Sequence, residues 1–221
     1  MSYLDIKKEL EQHQVELVAV SKTKPIESIL AIYEQGQRDF GENKVQEMEA
    51  KYQLLPKDIR WHLIGHLQKN KVKYIAPFVY LIHSVDSLEL LYEINRQALK
   101  NNRVLDVLLQ IHIAREENKF GLDKTELIEI LDVYEAKNPG LQNIRIRGLM
   151  GMATFSDDQE LIRNEFMGLR DLFKFVQQSY FLNDQSFSLL SMGMSSDYRI
   201  AIEAGSNMVR IGSLLFGNRT S

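Results

Sequence analysis

The sequence has no cysteine, which removes disulfides, thiol nucleophiles and thiolate metal sites together. It has no long apolar run: no segment approaches the roughly 20 residues that a membrane-spanning helix needs. A strong charge of either sign is missing too. Its 27 basic and 30 acidic residues leave a formal charge of -3, which argues against a general nucleic-acid binder driven by phosphate neutralisation. No Gly-x-Gly-x-x-Gly follows the first strand-like run, where a dinucleotide fingerprint would sit. The five histidines offer a metal-like spacing only at His62 and His66, across a strand end and a turn, so no metal site is expected. Absence of cysteine agrees with a reducing compartment. Met1 to His13 alternates charges with Leu4, Ile6 and Leu10, as a short amphipathic helix does and a signal peptide does not, so a cytoplasmic protein is expected.

What is present is alternation. Strand-like runs rich in branched residues occupy Glu16 to Lys22, Arg38 to Asn43, Trp61 to Gly65, Val79 to Val85, Val104 to Ile113, Ile144 to Met150, Phe187 to Gly193 and Met208 to Phe216. Helical spacing fills the intervals: after Pro25 as far as Gly36, Lys44 to Leu55, Gln68 to Ile75, the stretch capped by Asp86-Ser87, Lys124 to Ala136 after a polar loop from Ala114 to Gly121, Asp158 to Gln178, and Ser196 to Ala204. Eight such units without a linker, in 221 residues, predict an α/β protein whose single domain, residues 1–221, is a (β/α)8 barrel with an N-terminal helix at about 1–13. An open doubly wound sheet is the other architecture this alternation allows.

Barrels place their sites at the C-terminal ends of the strands. There the first run delivers Lys22, which by strand parity shares a face with Val18 and Val20. If that face is buried, the amine is partly desolvated and able to attack a carbonyl. The plainer reading is a lysine whose stem lies on apolar surface and whose head reaches water. Lys24 shares the same parity. The second run ends on Gly41-Glu42-Asn43. The last two runs end on Gly193 with Ser195 and Ser196, and on Gly212 with Ser213, a glycine-serine pair of loops suited to an anion. Arg210 shares a face with Gly212, so a guanidinium is expected to point into the barrel. It could bridge to Glu203 or Asp197, or contact an acceptor on a bound ring. Met150, Met152, Met192 and Met194 are expected at the barrel mouth.

An inward lysine, a phosphate seat and an inward arginine are what pyridoxal 5'-phosphate (PLP) requires. The stretches Ala19-Val20-Ser21-Lys22-Thr23-Lys24-Pro25, Phe40-Gly41-Glu42-Asn43-Lys44-Val45-Gln46-Glu47, Trp61-His62-Leu63-Ile64-Gly65-His66-Leu67-Gln68-Lys69-Asn70-Lys71, Arg147-Gly148-Leu149-Met150, Ser191-Met192-Gly193-Met194-Ser195 and Val209-Arg210-Ile211-Gly212-Ser213, in this order, resemble the pyridoxal phosphate homeostasis protein family nearly end to end. That resemblance implies an alanine racemase-like barrel that carries PLP as a Schiff base on Lys22. It further implies that Ser195, Gly212 and Ser213 meet the phosphate, Arg210 the pyridine nitrogen, and that Asn43 lies close to the cofactor. His66 stands where many members carry proline, and Ser196 where they often carry aspartate. The resemblance implies a cofactor-binding regulator in vitamin B6, amino-acid and keto-acid balance, without robust catalysis. A complete cofactor site without an evident catalytic partner adds the expectation of a carrier that passes PLP to apo PLP-dependent enzymes, and a monomer is expected. Racemases of this fold add a second domain bearing a tyrosine, and this chain has no residues left to build one. A small PLP enzyme such as a racemase, with a tyrosine or His83 as the second base, is one alternative. A barrel enzyme acting on a sugar phosphate is another.

Overall fold

The structure, a computed structural model, describes residues 2–116, 120–136 and 139–217. Met1, residues 117–119 of the expected polar loop, and 137–138 and 218–221 of the expected domain lie outside the described residues. Eight strands are described: β1 (Glu16–Val20), β2 (Asp39–Glu42), β3 (Arg60–Leu63), β4 (Leu81–Val85), β5 (Leu105–Ile111), β6 (Ile144–Gly151), β7 (Leu189–Ser191) and β8 (Met208–Ile211). Each pairs in parallel with the next, and β8 returns to β1, with Val18 opposite Arg210, so the sheet closes. The barrel predicted by the alternation is the fold, and the open sheet is not.

The helices are α1 (Tyr3–Gln12), α2 (Ile26–Tyr33), α3 (Val45–Leu54), α4 (Val72–Ile75), α5 (Leu88–Lys100), α6 (Lys124–Glu135), α7 (Gln159–Tyr180), α8 (Tyr198–Glu203) and α9 (Ser213–Phe216). Several start where side-chain oxygens take up the free N–H groups of a first turn. Ser2 with Asp5 and Asp123 with Glu126 form reciprocal capping boxes, and Ser87 and Asp158 cap α5 and α7. None of these helices is long and apolar enough to cross a membrane.

Strand parity separates two apolar layers. Val18, Leu81, Leu108, Met150 and Met208 fill the barrel interior. Leu17, Ala19, Phe40, Trp61 and Leu63 face the other way, in the larger layer between sheet and helices. Several strands are shorter than the sequence reading, β7 by two residues at each end, and two boundaries differ in kind. The last run does not continue to Phe216: β8 stops at Ile211, and the N–H groups of Leu215 and Phe216 fold back on the Gly212 carbonyl at 2.9 and 3.0 Å to make α9. Apolar residues in a terminal turn copy the signature of a strand, and periodicity cannot tell the two apart over four residues. The basic helix after β3 is also shorter, a 3-10 turn over Lys69–Lys71 followed by the single turn α4.

Candidate functional site

β1 ends at Val20, and the chain turns at once, the Lys24 N–H donating to the Ser21 carbonyl at 3.0 Å. Lys22 therefore sits in the turn beyond β1, which corrects the expectation of a lysine inside the strand. Thr23 follows in left-handed backbone, φ 62°, a conformation that a β-branched residue adopts only when held. The hold comes from behind. Thr23 N–H donates to Glu47 Oε1 at 2.5 Å, and the Ser21 hydroxyl donates to Glu42 Oε1 at 2.6 Å. Lys51 Nζ, from α3, donates to the Ser21 carbonyl, Glu42 Oε1 and Glu47 Oε1, each at 2.7 Å. A buried ammonium and two carboxylates thus clamp both flanks of Lys22. The signal in the sequence was Glu42 itself: parity puts Gly41 and Asn43 toward the barrel and Glu42 among the apolar residues beneath the helices, where a carboxylate needs a partner.

Lys22 opens onto a cavity of about 780 Å³ at the C-terminal ends of the strands. Asn43, Ser195, Arg210, Gly212 and Ser213 line it too, so the structure brings together all six residues singled out in the sequence. Val20, Ile64, Met152, Phe155 and Met194 supply apolar wall, and Ser196 adds a hydroxyl. The lining carries three cations, Lys22, Lys24 and Arg210, and among the described residues no carboxylate. Lys24 is partly engaged elsewhere, its Nζ donating to the carbonyls of Phe216 at 3.1 Å and Gly217 at 2.9 Å. Of the four methionines expected at the mouth, Met152 and Met194 are there. Met150 lies in the interior layer, and Met192 faces the helices.

The loops after β7 and β8 meet where the Gly212 N–H donates to the Ser195 hydroxyl at 3.2 Å. Asp197, the N-cap of α8, turns its Oδ1 back to the Met194 N–H at 2.6 Å, shaping the loop instead of capping the helix. The N–H groups of Ser195, Ser196 and Ser213 have no protein acceptor among the described residues. Free N–H groups beside hydroxyls, in a lining without carboxylates, suit an anion.

Arg210 forms the floor, 3 % exposed. Its Nη1 donates to the Ser191 hydroxyl at 2.6 Å and its Nη2 to the Gly151 carbonyl at 3.0 Å. The expected alternative of a structural bridge is overturned: Glu203 pairs with Arg163 at 2.6 Å, and Asp197 acts on Arg210 only at longer range. Burial pushes the guanidinium down to about 10, which leaves it charged at neutral pH. A buried cation whose partners are neutral oxygens is costly unless a ligand supplies an acceptor. His83 does not line the cavity. It is fully buried beneath Arg210, and burial, with His62 and Arg210 beside it, holds its imidazole well below the usual range. His66 is not among the residues that line the cavity; it pairs with Asp86 at 3.2 Å and stacks on Phe120 with ring centroids 4.0 Å apart. Sequence reasoning assigned no role to the clamp residues Glu47 and Lys51, which lie on α3, or to Ser191, which ends β7 two residues before the expected strand end at Gly193.

Fold and cavity define a class: a closed (β/α)8 barrel with a lysine after its first strand and glycine-serine loops meeting after its last two. Residues 3–220 match the family described as "Alanine racemase, N-terminal domain". The chain is 43% identical over 204 residues to the pyridoxal phosphate homeostasis protein of Aquifex aeolicus, covering 92% of this chain and 86% of that one. Two solved structures of PipY from Synechococcus elongatus superpose closely. The one without PLP has a TM-score of 0.89 at 36% identity, with 97% of each chain covered. The one with PLP bound has a TM-score of 0.84 at 35% identity, covering 96% of this chain and 99% of that one. The chain belongs to the pyridoxal phosphate homeostasis protein family.

Proposed function

We propose that this protein binds PLP and serves PLP homeostasis inside the cell, as a carrier that holds the cofactor and releases it to apo-enzymes. The observation that carries this reading is the lining: Lys22 and Lys24 from one tight turn, the second tied to the end of α9, one buried arginine, a pair of glycine-serine loops, and no carboxylate among the described residues. PLP, when bound, supplies an aldehyde that condenses with a primary amine. Lys22 is that amine, since the clamp behind Ser21 and Thr23 fixes its backbone while Lys24 is drawn toward the end of α9. Ser195, Gly212 and Ser213 hold the phosphate through hydroxyls and free N–H groups, and Asn43 flanks the ring. Arg210 offers an N–H to the pyridine nitrogen. An arginine does not surrender that proton, so the ring nitrogen stays unprotonated and carbanion chemistry is weakly promoted. No tyrosine or histidine lines the cavity among the described residues, which supports a carrier over a racemase, where both faces of a substrate need a base. Cytoplasmic location and a monomeric state complete the proposal, the first on the absence of cysteine.

Borohydride treatment of PLP-loaded protein, followed by peptide mapping, is expected to place the reduced label on Lys22. Lys22→Ala should abolish both the label and the visible absorption band, whereas Lys24→Ala should keep them. Label on Lys24, or none, refutes the assignment. Incubation with single-enantiomer amino acids in deuterium oxide separates carrier from enzyme: sustained exchange at Cα would establish a racemase-like activity instead.

A further inference from the structure

A line of polar groups runs from the floor of the cavity down the barrel interior. Arg210 Nη1 meets Ser191 Oγ at 2.6 Å, and Ser191 Oγ meets His83 Nδ1 at 3.1 Å. His83 Nε2 meets His62 Nδ1 at 3.0 Å, and His62 Nε2 meets Asp39 Oδ1 at 3.0 Å. Ser191, His83 and His62 are fully buried. Asp39 begins β2, at the end of the barrel opposite the cavity, where Arg60 also contacts it. Burial raises the Asp39 carboxyl, but hydrogen bonds from His62 and Arg60 outweigh this and hold it below the usual carboxylate range.

The two ends decide every hydrogen between them. A guanidinium only donates, and an ionised carboxylate only accepts. His62 must therefore carry a hydrogen on Nε2 for Asp39. With one hydrogen per imidazole, His62 Nδ1 accepts, His83 donates from Nε2 and accepts at Nδ1, and the Ser191 hydroxyl donates to His83 while accepting from Arg210. The reverse order would send two donors to Ser191 Oγ and strand its own hydrogen in the core, where Arg210 and His83 are its partners among the described residues. Each link polarises the next in the same direction.

We propose that Ser191, His83, His62 and Asp39 are positioning residues for Arg210: a one-directional hydrogen-bond chain that fixes the guanidinium in the cavity floor and connects its charge to a carboxylate at the far end of the barrel. This deepens the PLP reading, since the group so held is the one that faces the pyridine nitrogen. It also explains how a buried arginine is kept without a carboxylate in the cavity, where such a group would repel the phosphate.

Long-range proton–nitrogen correlation spectra of 15N-labelled protein at roughly pH 8, above the ordinary histidine range, read the tautomers directly. His62 and His83 are each expected as Nε2–H. An Nδ1–H form of His83, or a doubly protonated His62, overturns the chain. This arm needs no PLP, so its result stands apart from that of the reduction at Lys22. The second arm loads the protein with PLP labelled at the ring nitrogen. His83→Gln should shift that resonance and weaken PLP binding roughly tenfold or more, as expected when a hydrogen bond supporting a charged group is lost. Asp39→Asn, which keeps an acceptor but removes its charge, should shift the resonance in the same direction by less. Folded variants with unchanged resonance and affinity would show that the chain does not act on Arg210, and the proposal would fail.

Discussion

Gly148→Ala is expected to lower the free energy of unfolding by about 4 kcal/mol or more, the exceptional range for a single substitution. A Cβ at residue 148 would lie 1.7 Å from the carbonyl oxygen of Leu189 and 2.7 Å from its carbonyl carbon. Both atoms are backbone, so no side-chain rotation relieves the clash, and β6 and β7 must part. The glycine sits where the pairing of β5 with β6 slips: Val107 is opposite Ile146 and Leu108 opposite Gly148, which leaves Arg147 over. Arg147 turns out to Asp106 and the Ser186 carbonyl. Parting β6 from β7 would also displace the Gly151 carbonyl and Ser191, the two acceptors of Arg210, so affinity for PLP should fall with stability. Gly168→Ala is the control. Nothing lies within 4 Å of a Cβ there, on the exposed side of α7, and alanine should stabilise that helix by about 0.5–1 kcal/mol. Urea unfolding of both variants measures the contrast. A Gly148→Ala midpoint close to that of the parent protein would contradict the close approach of the two strands.

Lys51→Met should destabilise the protein by about 3–5 kcal/mol, the usual cost of removing one partner from a buried ion pair. The side chains of Lys51 and Glu42 are 7% and 0% exposed. Glu42 Oε1 takes both hydrogen bonds, and Oε2 has no partner among the described residues. Burial already pushes the Glu42 carboxyl up, against the pull of Lys51, so loss of the ammonium leaves Glu42 uncompensated in the core with the partly exposed Glu47 carboxylate beside it. Adding Glu42→Gln to Lys51→Met should recover part of the loss, because the stranded charge goes with it. The effect should extend to the turn. Without Lys51 the Ser21 carbonyl loses its donor, the Thr23 backbone loses support for its left-handed conformation, and Lys22 is no longer fixed over the cavity. Hydrogen exchange at the Thr23 amide should quicken, and PLP binding should weaken beyond what a core truncation of equal stability cost produces. Equal weakening in the two would reduce the clamp to an ordinary structural pair.

The barrel was legible because apolar runs such as β1, β4, β5 and β6 alternate with helical spacing along the whole chain, three of the helices opening on Ser87, Asp123 and Asp158. The site was legible where it coincides with strand ends. Arg210 could be placed inward from Val209 and Ile211 alone, since a two-residue period leaves no choice of face. Lys22 was placed correctly for an incomplete reason. Parity assumed a strand through residue 22, whereas the side chain reaches the cavity from a turn whose left-handed Thr23 no propensity would suggest. The clamp and the interior chain were not legible. Their members come from different units, Ser21 with Glu42 and Lys51, and His62 with His83 and Ser191, and meet only once pairing sets the register between strands. The ending of β8 was misjudged because Leu214, Leu215 and Phe216 are as apolar as a strand, and Gly212 gave the only break.

The tie from Lys24 to the carbonyls of Phe216 and Gly217 joins positions separated by 192 residues and more. The loop after β1 and helix α9 are two walls of one cavity, and neither encloses it alone. During synthesis that cavity cannot exist until the final strand has emerged and docked beside β1. A nascent chain therefore exposes Lys22 as an ordinary amine, and the proposed capture of the vitamin requires β8 and α9 to be in place.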